Sequence, residues 1–96
     1  MAVKTYKPTS SGIRHRMGYS FDEITTQKPL KSLTTSKKRG SGRNNYGHLT
    51  VKCHGGGHKR RYRLIDFKRN KDNVPGLVHS IEYDPNRSGY IAQVVY

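Results

Sequence analysis

Residues 54–69 read His-Gly-Gly-Gly-His-Lys-Arg-Arg-Tyr-Arg-Leu-Ile-Asp-Phe-Lys-Arg. Gly55, Gly56 and Gly57 leave the backbone bare, and the cations Lys59, Arg60, Arg61 and Arg63 follow at once. Bare backbone beside dense positive charge suits a polyanion that must be approached closely. Competing chemistries fail on residue type. A nucleotide-binding P-loop needs Lys-Ser or Lys-Thr after its last glycine, then a helix. Here His58 intervenes, Arg60 stands at the hydroxyl position, and a strand-like run follows. A His-Gly-Gly-Gly oxyanion loop of the esterase kind needs a serine in Gly-x-Ser-x-Gly, which this chain lacks. Cys53, His54 and His58 suggest a metal, but closed zinc sites take four ligands and Cys53 is the only cysteine. Neither a metal nor any other cofactor is expected. Asp66, Glu82 and Asp84 lie in or beside strand-like runs, where pairing with a nearby cation or capping a turn accounts for them. No catalytic residue is assigned.

The cations extend beyond that stretch. Lys37, Lys38, Arg39, Arg43, Lys52, Lys59, Arg60 and Arg61 occur with no acid between positions 37 and 61. Tyr46, His48, His54 and His58 are interleaved, and flat rings stack on bases. Asn44 and Asn45 add paired donors and acceptors. A membrane-surface segment requires an amphipathic helix, which the glycines oppose. By composition alone, the glycine run reads equally as a flexible linker or as an RNA contact.

Overall charge points the same way. The 96 residues carry 19 Lys and Arg against 6 Asp and Glu, a formal net charge of +13, with 31% hydrophobic residues. Self-repulsion at that charge favours a bound polyanion. Residues 1–61 hold 14 Lys and Arg against Asp22 and Glu23, whereas residues 62–96 hold 5 against 4 acids. A charged arm and a near-neutral body are therefore expected, divided at 61/62. No apolar run reaches the ~20 residues that cross a bilayer. The first residues lack the apolar region of a signal peptide, and the lone cysteine fits a reducing compartment.

The elements that must position these residues are short. Residues 1–36 show little periodicity, with at most a turn of helix over Asp22–Thr26. Residues 37–48 are a loop by composition, and Leu49–Lys52 is a short extended piece. From Arg61 the texture becomes β. Arg61–Lys68, Leu77–Tyr83 and Tyr90–Tyr96 read as strands, with turn chemistry at Arg69–Gly76 and Asp84–Gly89. The expected fold class is mostly β: an extended basic arm, then a three-stranded antiparallel meander. About 35 residues in three strands form only a marginal core. Val94-Val95-Tyr96 closes the chain inside an apolar run. The meander is therefore expected to be part of a larger domain, completed by the same or another chain.

Three blocks carry a family resemblance. They are Gly42-Arg43-Asn44-Asn45-x-Gly47, then Gly55-Gly56-Gly57-His58-Lys59-Arg60 with Tyr62-Arg63-x-Ile65-Asp66-Phe67-Lys68-Arg69, then Ile81-Glu82-Tyr83-Asp84-Pro85-Asn86-Arg87-Ser88. In order and spacing they closely resemble the N-terminal third of the large-subunit ribosomal protein L2 family. The opening Tyr6-Lys7-Pro8-Thr9 and Lys28-Pro29-x-Lys31-Ser32-Leu33 are similar to its bacterial and organellar form. Cys53 and His54 depart from the family's usual residues, and Gln93 stands where an aliphatic residue is usual.

The resemblance implies an RNA-threading extension over 1–61. It implies the first three antiparallel strands of an oligonucleotide-binding (OB-like) barrel, incomplete, over 62–96. It implies a structural, non-enzymatic constituent of the large subunit that supports assembly and scaffolds the peptidyl-transferase region. The expected site is the ribosome of a bacterial cytoplasm or an organelle. Implied partners are ribosomal RNA, neighbouring ribosomal proteins and the rest of the barrel, with no membrane or small-molecule substrate. The expected RNA contacts are Lys4, Lys7, Arg14, Arg16, Lys37, Lys38, Arg39, Arg43, Asn44, Asn45, Lys52, Gly55, Gly56, Gly57, His58, Lys59, Arg60, Arg61, Arg63, Lys68, Arg69 and Arg87. The alternative is a free cationic RNA chaperone, which needs no well-formed barrel strands.

Overall fold

Three small antiparallel sheets and one short 3-10 turn organise residues 2–96, the part described by the computed structural model. Strand β1 (Val3–Thr5) pairs with β2 (Met17–Tyr19) in the register Val3↔Tyr19, Lys4↔Gly18 and Thr5↔Met17. The intervening loop turns through the Ile13 and Arg14 N–H groups, both donating to the Ser10 carbonyl. These three-residue strands lack alternation, so the periodicity that marks longer strands is missing.

A 3-10 turn over Lys31–Leu33 leads into β3 (Thr34–Ser36). The Thr34 hydroxyl donates to the Lys31 carbonyl at 2.9 Å and ends the turn. Strand β3 pairs with β4 (Arg61–Arg63), and the Leu64 N–H extends the ladder to the Leu33 carbonyl. This pairing corrects the expected meander. The run Arg61–Lys68 forms a strand only over its first three residues, and its partner lies in the basic segment rather than in the next strand. Beyond the strand the apolar positions change parity, from Tyr62 and Leu64 to Ile65 and Phe67.

Strands β5 (Leu77–Glu82) and β6 (Ile91–Val95) form the longest sheet, joined by the Asp84–Gly89 turn as expected. The register shifts between Val78 and Ser80, a bulge that adds local twist. Beside it the Ser80 hydroxyl donates to Glu82 at 3.3 Å and faces the Gln93 side-chain oxygen at 3.5 Å. Gln93 thus meets a polar neighbour across the sheet.

Asp22–Thr26 forms a hydrogen-bonded turn rather than helix, with the Ile24 N–H on the Phe21 carbonyl. It docks on β5. The Thr25 N–H donates to the Ile81 carbonyl at 3.1 Å, and the Ile81 N–H donates to the Thr25 hydroxyl at 2.9 Å. Tyr19, Phe21, Tyr83 and Tyr90 pack edge-to-face or tilted around this junction, with centroids 5.5–6.4 Å apart. Burial, then nearby Glu23, pushes the Tyr90 phenol up from its ordinary pKa.

Among the described residues no apolar side chain is buried; the buried residues are Ser80, Glu82 and Asp84. The radius of gyration is 18.2 Å, against about 13 Å for a compact domain of ~100 residues. The molecule is a slab of 48 × 46 × 21 Å. The mostly-β, nearly helix-free class is as expected, and these small antiparallel sheets are consistent with an incomplete OB-like domain.

Candidate nucleic-acid interface

Strand β4 sets the centre of the basic surface. Arg61 and Arg63 bracket Tyr62 on a strand held by β3, and His58, Lys59 and Arg60 lead into it. Together His58, Lys59, Arg60, Arg61 and Arg63, with Pro29, Tyr83 and Pro85, line an open cleft of about 710 Å³. No acid lines it. Tyr83 is 48% exposed there, so its ring combines packing on Phe21 with an open surface. Flat rings beside cations are the ordinary makings of a single-stranded nucleic-acid surface.

The hairpin turn fixes this cleft to the rest of the fold. Asp84 is fully buried. Its carboxylate accepts from the Asn86 N–H at 2.8 Å, from the Asn86 amide at 3.2 Å and from Arg87 Nε at 2.5 Å. Burial raises the Asp84 pKa, but these donors outweigh it and leave the carboxyl below its ordinary value. The same bond holds the Arg87 pKa up. Arg87 also lies over the Tyr62 and Phe67 rings, at 6.0 and 5.5 Å. Asn86 then reaches outward: its amide donates to the Arg61 carbonyl at 2.8 Å, and its oxygen accepts from Lys37 at 3.2 Å. Arg60 touches the Pro85 carbonyl at 3.5 Å. Seven of the expected contacts, Lys37, His58, Lys59, Arg60, Arg61, Arg63 and Arg87, therefore gather about one turn.

The glycine loop is positioned by Arg39. Its guanidinium donates to the carbonyls of Gly56, Gly57 and His58. The backbone follows because Gly55, Gly56 and Gly57 all have positive φ, at 127°, 73° and 79°. Such angles strain any residue with a Cβ. His58 donates its Nδ1 hydrogen to the Lys59 carbonyl at 2.9 Å.

Residues 40–51 close on themselves. The Gly42 carbonyl accepts from the Thr50 and Val51 N–H groups, and the Asn44 side-chain oxygen accepts from the Tyr46 and His48 N–H groups. Asn44 is thus a turn former, through the Asx geometry its short side chain allows. Arg43 donates to the Ser41 carbonyl at 2.6 Å, while Asn45 is exposed.

Other expected contacts lie apart. Lys4 and Arg16 flank the Tyr6 ring at 5.4 and 4.7 Å, with Lys7 and Arg14 exposed on the same hairpin's loop. Lys38, Lys52 and Lys68 are exposed. The Arg69 N–H caps onto Asp66 at 3.2 Å, and its side chain lines a second, more apolar cavity with Leu30, Leu33, Phe67 and Val94. Of all these basic side chains only Arg87 has an acidic partner among the described residues.

The sequence reading did not single out Asn86, Tyr83 or Pro29. The signal for Asn86 was present in the Asp-Pro-Asn-Arg turn. Tyr83 and Pro29 are distant in sequence from the cations they join, and nothing local marks them.

The sequence model described as ribosomal proteins L2, RNA-binding N-terminal domain, matches residues 30–96. The chain belongs to this family. Membership in the L2 family makes it a structural, RNA-binding constituent of the large ribosomal subunit, and ribosomal RNA its partner. The L2 match begins at Leu30, just ahead of the 3-10 turn. It takes in β3, the 40–51 loop, the glycine loop, the cleft and the β5–β6 hairpin.

Proposed function

We propose that this chain binds large-subunit ribosomal RNA through one cationic surface centred on β4. The observation that carries the reading is the acid-free cleft between Lys59, Arg61, Arg63 and Tyr83. Phosphates meet Lys37, Lys59, Arg60, Arg61, Arg63 and Arg87. The glycine loop and residues 43–45 approach the sugar-phosphate backbone closely. Arg39 supports the glycine loop from beneath, and Lys4, Lys7, Arg14 and Arg16, with Lys38, Lys52, Lys68 and Arg69, extend the charge to more distant RNA.

In this reading residues 1–61 act as the charged arm and 62–96 as barrel strands, a division supported by their unequal charge. By bridging RNA segments the chain supports subunit assembly beside neighbouring ribosomal proteins. It serves the peptidyl-transferase region as a scaffold, in a bacterial or organellar ribosome.

Co-sedimentation with large subunits through a high-salt wash tests the proposal. Retention is the expected outcome: salt weakens every phosphate contact, so a chain held by charge alone leaves, whereas one whose glycine loop and cleft fit the RNA backbone stays. Release into the free fraction at modest salt rejects it in favour of a free-standing cationic RNA chaperone.

A further inference from the structure

Three peptide carbonyls in a row, those of Gly56, Gly57 and His58, turn toward one guanidinium, that of Arg39. All described peptide bonds are trans. In a trans peptide the N–H points opposite to the C=O of the same unit. The N–H groups of Gly57, His58 and Lys59 therefore face away from Arg39. No described group accepts a hydrogen bond from any of the three. All three residues are exposed. A Cβ at Gly56 would meet open space, whereas one at Gly57 would lie 3.6 Å from the Arg39 guanidinium.

We infer that Arg39 is a positioning residue, which holds the glycine loop so that the Gly57, His58 and Lys59 N–H groups form a phosphodiester-binding ridge. The inference rests on the RNA-binding reading above and deepens it. Arg39 keeps its positive charge under the loop, while its donors are taken up by carbonyls. The phosphate is met by backbone N–H groups on the outer side, with the Lys59 ammonium beside them. Backbone amides are fixed donors that bind phosphate without side-chain ordering. The geometry needs Arg at this position. Its planar fork reaches several acceptors at once, whereas a lysine ammonium is a single point.

The test measures binding of purified large-subunit ribosomal RNA by the full chain over a range of salt. The variants are R39K, R39A and, for comparison, K59Q. Loss of one phosphate contact lowers the slope of log affinity against log salt by about 0.7–0.9. K59Q is expected to show that decrease. R39K, which keeps the charge, is expected to weaken binding by roughly tenfold or more, the scale of a lost charged hydrogen bond, and so to fall with R39A. R39K binding like the unaltered chain while R39A alone is weakened makes Arg39 an ordinary phosphate ligand and overturns the inference. Unchanged affinity in both Arg39 variants overturns it as well.

A second measurement needs no variant. In the unaltered chain, the amide proton signals of Gly57, His58 and Lys59 are expected to move downfield when the RNA binds. Signals that stay in place refute the ridge. An unaltered chain whose affinity is flat with salt fails the RNA-binding reading itself, a separate result.

Discussion

The Asn86 side-chain amide donates to the Arg61 backbone carbonyl at 2.8 Å. This bond joins the hairpin turn of β5–β6 to the strand that carries the basic cleft. Because Asn86 also touches Lys37 and Asp84, one side chain ties three segments together.

Replacing it by alanine is expected to free β4 from the hairpin. Each lost neutral hydrogen bond is worth about 1 kcal/mol, and the Arg61 carbonyl is left with the Arg63 guanidinium, at 2.8 Å, as its side-chain donor. N86A is therefore expected to lower the protection of the Arg61–Arg63 amides in the RNA-bound chain by roughly tenfold. Hydrogen exchange followed residue by residue checks this. Equal protection in N86A and the unaltered chain contradicts the joining role.

Asp84 adds a pH dependence whose sign is fixed. Its pKa is lower in the fold than in the unfolded chain. Its contribution is therefore complete above the ordinary carboxylate pKa, about 4, and is lost as pH falls through the folded value. Hydrogen exchange of β5–β6 in the RNA-bound chain is expected to accelerate below about pH 4 in the unaltered protein. D84N removes that step, and the difference between the two profiles isolates Asp84 from protonation of the RNA. Parallel profiles contradict the assignment.

Gly42 and Gly47 both have positive φ, at 77° and 80°, but their surroundings differ. A Cβ at Gly42 would overlap the Val51 carbonyl oxygen, whereas one at Gly47 meets open space. G47A bears only the left-handed backbone cost of about 1–2 kcal/mol. G42A must in addition push the 40–51 loop apart, so it is expected to weaken RNA binding and speed proteolysis within 40–51 more than G47A does. Equal effects show that loop closure at Gly42 is dispensable.

With no buried apolar side chain among the described residues, little hydrophobic burial opposes chain entropy and charge repulsion. The free chain is expected to melt without a cooperative transition in buffer. Ribosomal RNA should order it, since a ligand that binds only the folded form stabilises that form. Calorimetry of the RNA-free chain decides the matter, and a sharp unfolding peak refutes the coupling.

Much of this was legible from residue types. Leu77, Ile81 and Tyr83 alternate ahead of Asp84–Gly89, so the β5–β6 hairpin is written locally. Asp84 was assigned to pairing or turn capping, and it does both. The β3–β4 ladder was not legible, because Thr34–Ser36 has no pattern of its own and its partner lies some 25 residues away. Nor was the orientation of Arg39. A cation in a basic run looks like its neighbours until the backbone shows carbonyls within its reach. The cleft was half legible: its charge lies in one run, while Pro29 and Tyr83 arrive only through tertiary docking.

A slab 21 Å thick with no buried apolar side chain among its described residues also redistributes where substitutions hurt. In ordinary domains, shrinking a core leucine leaves a costly cavity, while loop changes pass almost unnoticed. Here trimming Leu77 or Val78, 71% and 56% exposed, opens no void. Sensitivity concentrates instead in glycines of unusual backbone angle, in a turn asparagine and in one buried carboxylate. Tolerance in this chain is thus governed by hydrogen-bond direction more than by side-chain volume.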